Sequence, residues 1–185
     1  VRPHLMTYLF IITFLYIIEL KRRWMWLLPP LAVAWCNSHG ITYPILVLIS
    51  LSYSVEYLYG RCTGRAHVPA GARGYLVPLV LSMAAVYLTP YGMSLLAEPF
   101  KPLVYVSTYV AEFTPLRLTD LFSFVVSGLA PTQMTLFNLL ALMTVAAALP
   151  ALFARRLRLS HGLLLVGGGL LLLRGVRFTN EFSLL

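Results

Sequence analysis

Apolar residues run along this chain in six blocks, separated by polar or basic connections. The blocks are about Leu5–Ile18, Trp24–Cys36, Ile41–Tyr59, Tyr75–Leu88, Leu136–Phe153 and Leu163–Leu173. Continuous apolar runs of this kind predict helices whose surroundings are lipid, each crossing needing about 20 residues. Several blocks are shorter than that, and flanking aromatic and basic side chains extend them by snorkelling. Helices satisfy their own backbone polar groups, as a segment in hydrocarbon must. The predicted fold is therefore all-α, a polytopic integral membrane bundle of about six transmembrane helices, in a single membrane domain over 1–185 with a long outer connection at 89–134.

Charge orders these blocks. Lys21, Arg22 and Arg23 follow the first, Arg61, Arg65 and Arg73 the third, and Arg155, Arg156 and Arg158 the fifth. Those nine of the 14 Lys and Arg residues fall on alternate connections, so a serpentine path puts them all on one side. By the positive-inside rule that side is cytoplasmic, and both chain ends are extracytoplasmic. Arg2, Lys101, Arg117, Arg174 and Arg177 then lie outside. The formal charge of +8 is explained by topology, and no nucleic-acid partner is expected. With 59% apolar and 11% charged residues the composition excludes both a soluble globular domain and a disordered chain. The expected setting is a bacterial inner membrane, with the bilayer as partner.

Other features narrow the picture. Leu5–Ile18 is followed by Glu19, Lys21, Arg22 and Arg23 and not by a small-residue cleavage site, so it reads as a span and not a signal peptide. Val1 at the first position suggests an internal piece of a longer protein. Cys36 and Cys62 are placed on opposite sides of the bilayer, too far apart for a disulfide. No His/Cys spacing suits zinc, so neither a metal nor a cofactor is expected.

The outer connection carries Glu98, Glu112 and Asp120, with prolines at 90, 99, 102, 115 and 131. Within it Leu103–Phe113 has Tyr105 and Tyr109 four apart on one helical face. It predicts an amphipathic helix lying in the outer interface; a seventh span is the alternative. The inner loop Gly60–Gly74 reads as a flexible turn near anionic headgroups.

Candidate chemistry gathers on the predicted outer face. Trp35-Cys36-Asn37-Ser38-His39-Gly40 interrupts two apolar blocks. Asn37 and His39 near the hydrocarbon edge need partners or water. They read either as a substrate-facing turn that binds phosphate or sugar hydroxyls, or as a hydrogen-bonded cap closing a tight turn. Tyr91, between Pro90 and Gly92, is an interface anchor. Glu112 is the preferred outer carboxylate, because it ends the interfacial helix; near the bilayer its pKa can rise far enough for general-base work. Glu56 faces the cytoplasmic half and reads as a partner for a basic loop. Arg174 and Arg177 either snorkel to headgroups or bind a lipid-linked phosphate. Gly167-Gly168-Gly169 lets helices approach closely and is not a phosphate loop, since no Lys-Ser/Thr follows. No Ser-His-Asp grouping, Walker loop, Rossmann fingerprint or HExxH is present.

Several stretches carry a family resemblance: Arg2-Pro3-His4, Trp26-Leu27-Leu28-Pro29-Pro30-Leu31, Trp35 to Gly40, Thr89-Pro90-Tyr91-Gly92, Glu112-Phe113-Thr114-Pro115 and Arg177-Phe178. In this order and spacing the chain resembles bacterial polytopic membrane proteins with a Trp-x-Asn-x-His-Gly turn followed by an Asn-Pro-Tyr-Gly turn. Those proteins are similar to GT-C glycosyltransferases, which use polyprenyl-phosphate-linked sugars. Thr89 stands where that pattern has Asn, and Phe113 where it has an aromatic that is usually Trp. The resemblance implies the middle of such an enzyme, without the first outer loop that carries its catalytic acid residue. In that reading an acceptor hydroxyl attacks the anomeric carbon of a polyprenyl-phosphate sugar at the extracytoplasmic face. Asn37, His39 and Tyr91 would bind donor or acceptor, Arg174 or Arg177 would stabilise the departing phosphate, and Glu112 would line the site. The alternatives are a transporter-like segment or a non-catalytic membrane subunit that binds a partner through small-residue faces such as Gly167–Gly169.

Overall fold

The computed structural model describes residues 3–64, 71–92, 94–97, 119–127, 130–154, 157–174 and 179–185. Among the described residues the regular secondary structure is helical apart from one two-residue strand pairing, and the chain divides into two compact units, Val1–Lys101 and Pro102–Leu185.

In the first unit α1 spans Pro3–Leu20, α2 Leu28–His39, α3 Tyr43–Cys62, α4 Ala72–Met83 and the short α5 Ser94–Ala97. Three 3-10 segments join or extend them: Arg22–Leu27 leads into α2, Gly40–Thr42 joins α2 to α3, and Ala84–Leu88 prolongs α4. Proline marks the starts. Pro29 and Pro44 sit in the first turns of α2 and α3, where no intrahelical partner is lost through the missing N–H. Pro78 lies inside α4, and Ser82 four residues on donates its hydroxyl to the Pro78 carbonyl at 2.7 Å.

Side-chain contacts fix the path. Trp35 of α2 stacks on Phe10 of α1, with centroids 5.6 Å apart and planes 6° from parallel, and meets Phe14 edge-on at 5.5 Å. Thr7, near the start of α1, reaches His39 at the end of α2, so α1 and α2 are antiparallel. The Tyr53 hydroxyl of α3 donates to Glu19 near the end of α1 at 2.7 Å, so α3 runs alongside α1. Tyr57 of α3 stacks on Tyr75 of α4 at 5.3 Å, while the Tyr43 hydroxyl donates to the Met83 carbonyl at 2.7 Å; α4 therefore runs back against α3. One continuous helical run among the described residues, Arg22–Cys62, is long and apolar enough to cross a membrane. It is not a straight rod, because the backbone of His39 (φ −152°, ψ 67°) leaves the helical region and the chain reverses there.

The unit has an unusual distribution of polarity. Ser50, Ser54 and Tyr57, one turn or two apart on α3, are buried together with Ser52, Thr7, Thr42 and Ser82. Leu51, Val55 and Leu58 on the same helix are exposed, as are Leu5, Leu9, Ile12, Tyr16 and Leu20 along one stripe of α1 and Val77, Val80 and Leu81 on α4.

In the second unit a 3-10 turn at Asp120–Phe122 and an antiparallel pairing of Val126–Ser127 with Ala130–Pro131 precede α6, Gln133–Phe153. α7 spans Leu159–Arg174 and α8 Thr179–Leu184. α6 begins three residues before its apolar block, because the Thr132 side chain caps it by accepting from the Thr135 amide. The Thr135 hydroxyl donates to the Val125 carbonyl and accepts from its amide, at 2.7 and 2.9 Å, and buried Asn138 donates to the Ser123 carbonyl at 3.0 Å. A small core of Ala141, Leu172 and Phe182 closes α6, α7 and α8 on one another. A Cβ at Gly168 would lie 3.1 Å from the Phe182 ring and 3.3 Å from Leu185, so this glycine face is taken by the chain itself. Leu136, Leu139, Met143, Leu149 and Leu152 of α6, and Val166 and Leu170 of α7, are exposed.

The interfacial helix expected at 103–113 and the basic residues Arg65, Arg155 and Arg156 lie outside the described residues.

Candidate functional site

The predicted polar turn forms a buried hydrogen-bonded knot at one end of the first unit. Thr42 Oγ1 is its hub. It accepts from the Trp35 indole N–H at 2.9 Å, donates to the His39 carbonyl at 2.8 Å, and lies 3.4 Å from the Thr7 hydroxyl. Thr7 Oγ1 in turn is 2.6 Å from Nδ1 of His39. Thr7 and Thr42 are both fully buried.

Counting protons restricts how this cluster is wired. The Thr42 hydrogen goes to the His39 carbonyl, so any bond between the two threonines must be donated by Thr7. If it is, Nδ1 of His39 must be the donor to Thr7, and every hydroxyl hydrogen has an acceptor. If His39 instead carries its proton on Nε2, Thr7 donates to Nδ1 and the contact between the threonines is not a hydrogen bond. Either way the imidazole is held through one nitrogen by a residue 32 positions away in sequence.

The neighbours of His39 face elsewhere. Asn37 and Ser38 are exposed, and each donates to the carbonyl four residues back, Val33 at 2.8 Å and Ala34 at 2.7 Å. Asn37 and His39 stand two apart on α2, about 200° around the helix, so they do not share a face. Gly40 permits a close approach: a Cβ there would sit 2.8 Å from Leu95 Cδ2 of α5.

Tyr91 occupies the turn that follows α4 at the same end, and it is 70% exposed. Thr89 closes that turn: its hydroxyl donates to the Val86 carbonyl at 2.8 Å and accepts from the Gly92 amide at 3.1 Å. Gly92 has φ +48°, the left-handed conformation that glycine adopts without strain. The Thr89 hydroxyl thus closes the turn locally, as Ser and Thr side chains do in turns.

Arg174 is the last residue of α7, in the second unit. Glu112 and Arg177 lie outside the described residues. No group of three or more His, Cys, Asp or Glu side chains that could hold a metal occurs among the described residues. Cys36 is buried near the end of α2, and Cys62 is the exposed last residue of α3; both are free thiols.

Sequence reading did not single out Thr7, Thr42 or the Glu19–Tyr53 pair. Thr7 and Thr42 sit in or beside apolar runs, and a threonine hydroxyl is easily absorbed by helix backbone. The one available signal was the spacing Ser50, Tyr53, Ser54, Tyr57, a polar face at helical period within an apolar block.

No family model, curated protein or solved structure matches the chain.

Proposed function

We propose that this chain is a multi-pass membrane protein, part of a GT-C-like glycosyltransferase scaffold that handles a polyprenyl-phosphate-linked sugar at the extracytoplasmic face. The observation that carries the membrane half is the inverted polarity of the helices. Leu5 and Leu9 on α1 are 59% and 58% exposed, while Ser50, Ser82, Thr7 and Thr42 are fully buried. Water would penalise such continuous apolar stripes, and lipid tails accept them. The legs also have the right length. α1, with 18 residues, extends about 27 Å and α3, with 20, about 30 Å. α2 and α4 reach about 30 and 28 Å along their contours once their 3-10 extensions are included. The hydrocarbon layer is about 30 Å thick. Six spans, counting α6 and α7, follow from this reading.

The glycosyltransferase half rests on the resemblance and on the turn at the end of α2. Asn37, Ser38 and Tyr91 are exposed polar groups at the end of the first unit that the positive-inside rule places outside. They are suited to meet phosphate or sugar hydroxyls. His39, held through Nδ1 by Thr7, keeps that turn in place.

Two measurements test the proposal. Alkaline carbonate extraction of expressing membranes should leave the chain in the pellet; release into the supernatant overturns the membrane reading. A photoreactive polyprenyl-phosphate hexose should label the chain, with labelling reduced several-fold in Asn37→Ala and competed by unlabelled polyprenyl phosphate. Equal labelling by a polyprenol without phosphate would sink the transferase reading.

A specific observation favours a second, transporter-like reading. The Ser50 and Tyr57 hydroxyls, on the same face of α3, are buried without a hydrogen-bond partner among the described residues, as a polar lining would be. Proton flux in proteoliposomes, abolished by Ser50→Ala, would support it over the transferase.

A further inference from the structure

The end of the first unit opposite the polar turn is built from cations and aromatic rings. Arg22 and Arg23 open the 3-10 segment between α1 and α2, Arg61 lies in the last turn of α3, and Arg73 in the first turn of α4. All four are exposed, and Lys21 beside them is half-buried. Packing brings these three places together. The Arg22 guanidinium lies 6.0 Å from the Tyr75 ring centroid, and Tyr75 stacks on Tyr57 at 5.3 Å. Arg61 follows Tyr57 by one helical turn, and Arg73 lies in the first turn of α4, the helix that carries Tyr75, so the cations and the tyrosine stack lie at the same end of the unit. Arg23 lies 5.5 Å from the Trp24 ring centroid, and Trp24, Trp26 and Leu27 are exposed beside it.

The Arg22 and Arg23 guanidinium groups lie near aromatic rings and are exposed, and a guanidinium beside a ring still presents its forked donors to an anion. The exposed Trp24, Trp26 and Leu27 are what a headgroup-level segment presents to acyl chains.

We infer that this collar is a binding site for the phosphate of an acidic phospholipid, with Arg22, Arg61 and Arg73 as phosphate ligands and Trp24 and Trp26 against the acyl chains. The inference rests on the membrane reading above. The ligand is a lipid and not a free phosphate, because the apolar contacts continue from the cations onto exposed Trp26 and Leu27. Each basic side chain close to acidic headgroups contributes about fivefold to the attraction.

The test is native mass spectrometry of the purified full chain with dioleoyl phosphatidylglycerol, tetraoleoyl cardiolipin or dioleoyl phosphatidylcholine. The two acidic lipids should bind at least about tenfold more tightly than phosphatidylcholine. The triple variant Arg22→Gln, Arg61→Gln, Arg73→Gln should fall to the phosphatidylcholine level, with helicity by circular dichroism unchanged. The all-lysine triple variant should keep most of the preference, which separates charge recognition from a folding defect. Equal binding of acidic and zwitterionic lipids, or a preference that survives the glutamine variant, overturns the inference. Displacement of the lipid by millimolar inorganic phosphate would show a free-phosphate site instead. A chain that carbonate strips from membranes refutes the membrane reading; one that stays embedded without lipid preference refutes only the collar.

Discussion

The Thr7 hydroxyl lies 2.6 Å from Nδ1 of His39, so the second turn of α1 holds the last residue of α2. The pair helps to close that end of the helical hairpin. Hydrogen bonds between helices in lipid are each worth about 0.6 kcal/mol on average and at most about 1.7 kcal/mol. Thr7→Val should therefore lower stability by about 1 kcal/mol, and Thr7→Ser should restore it. Thermal unfolding in mild detergent checks this; equal melting of the valine and serine variants would show that the hydroxyl contributes nothing.

Thr42 has more partners, and its loss should cost more. Thr42→Val removes the acceptor of the buried Trp35 N–H and the donor to the His39 carbonyl. A buried donor left unsatisfied costs about 1–3 kcal/mol, so this variant should melt below Thr7→Val. Trp35→Phe is the complementary change. It keeps a ring against Phe10 and Phe14 but removes the indole donor and part of the buried ring volume. Trp35→Phe should therefore cost less in the Thr42→Val background than in the native chain, and a double-mutant cycle reads the coupling directly. Additive effects would mean that the 2.9 Å contact carries no energy.

These two residues also mark what the sequence could and could not reveal. Block positions were legible: the segment read as Ile41–Tyr59 is α3, Tyr43–Cys62, and Leu136–Phe153 is α6, Gln133–Phe153. Apolar runs report helix location because burial and lipid contact are summed over many residues. The 3-10 extensions at Arg22–Leu27 and Ala84–Leu88 were not legible, since the composition of a tightened turn does not differ from that of the helix it prolongs. The site was legible in half. Polar residues at Trp35–Gly40 pointed to the turn, but not to the opposite faces of Asn37 and His39. Nor did they reveal Thr7, whose partner is 32 residues away.

Gly40 gives a third prediction. An added Cβ would meet Leu95 Cδ2 at 2.8 Å and Cδ1 at 2.9 Å. Both contacts are with the end of a flexible side chain, so the α2–α3 turn should survive while α5 is displaced. Overpacking of this kind costs about 1–3 kcal/mol. Gly40→Ala should lose stability within that range, and Leu95→Ala in the same chain should recover part of the loss. If the second substitution made matters worse, Gly40 would be required for its backbone and not for the space it leaves.

The two thiols report on topology without any substitution. Cys62 is exposed at the basic end of α3, and Cys36 is buried near the polar turn at the end of α2. If the basic end is cytoplasmic, a membrane-impermeant maleimide should leave Cys62 unlabelled in intact spheroplasts and label it in inverted vesicles. Cys36 should react in neither until detergent and denaturant expose it, because it is buried. Labelling of Cys62 from outside would reverse the orientation, moving the Asn37 turn to the cytoplasm and out of reach of an extracytoplasmic sugar donor. The lipid collar would then face the outer leaflet, so one thiol tests the premise on which both proposed sites depend.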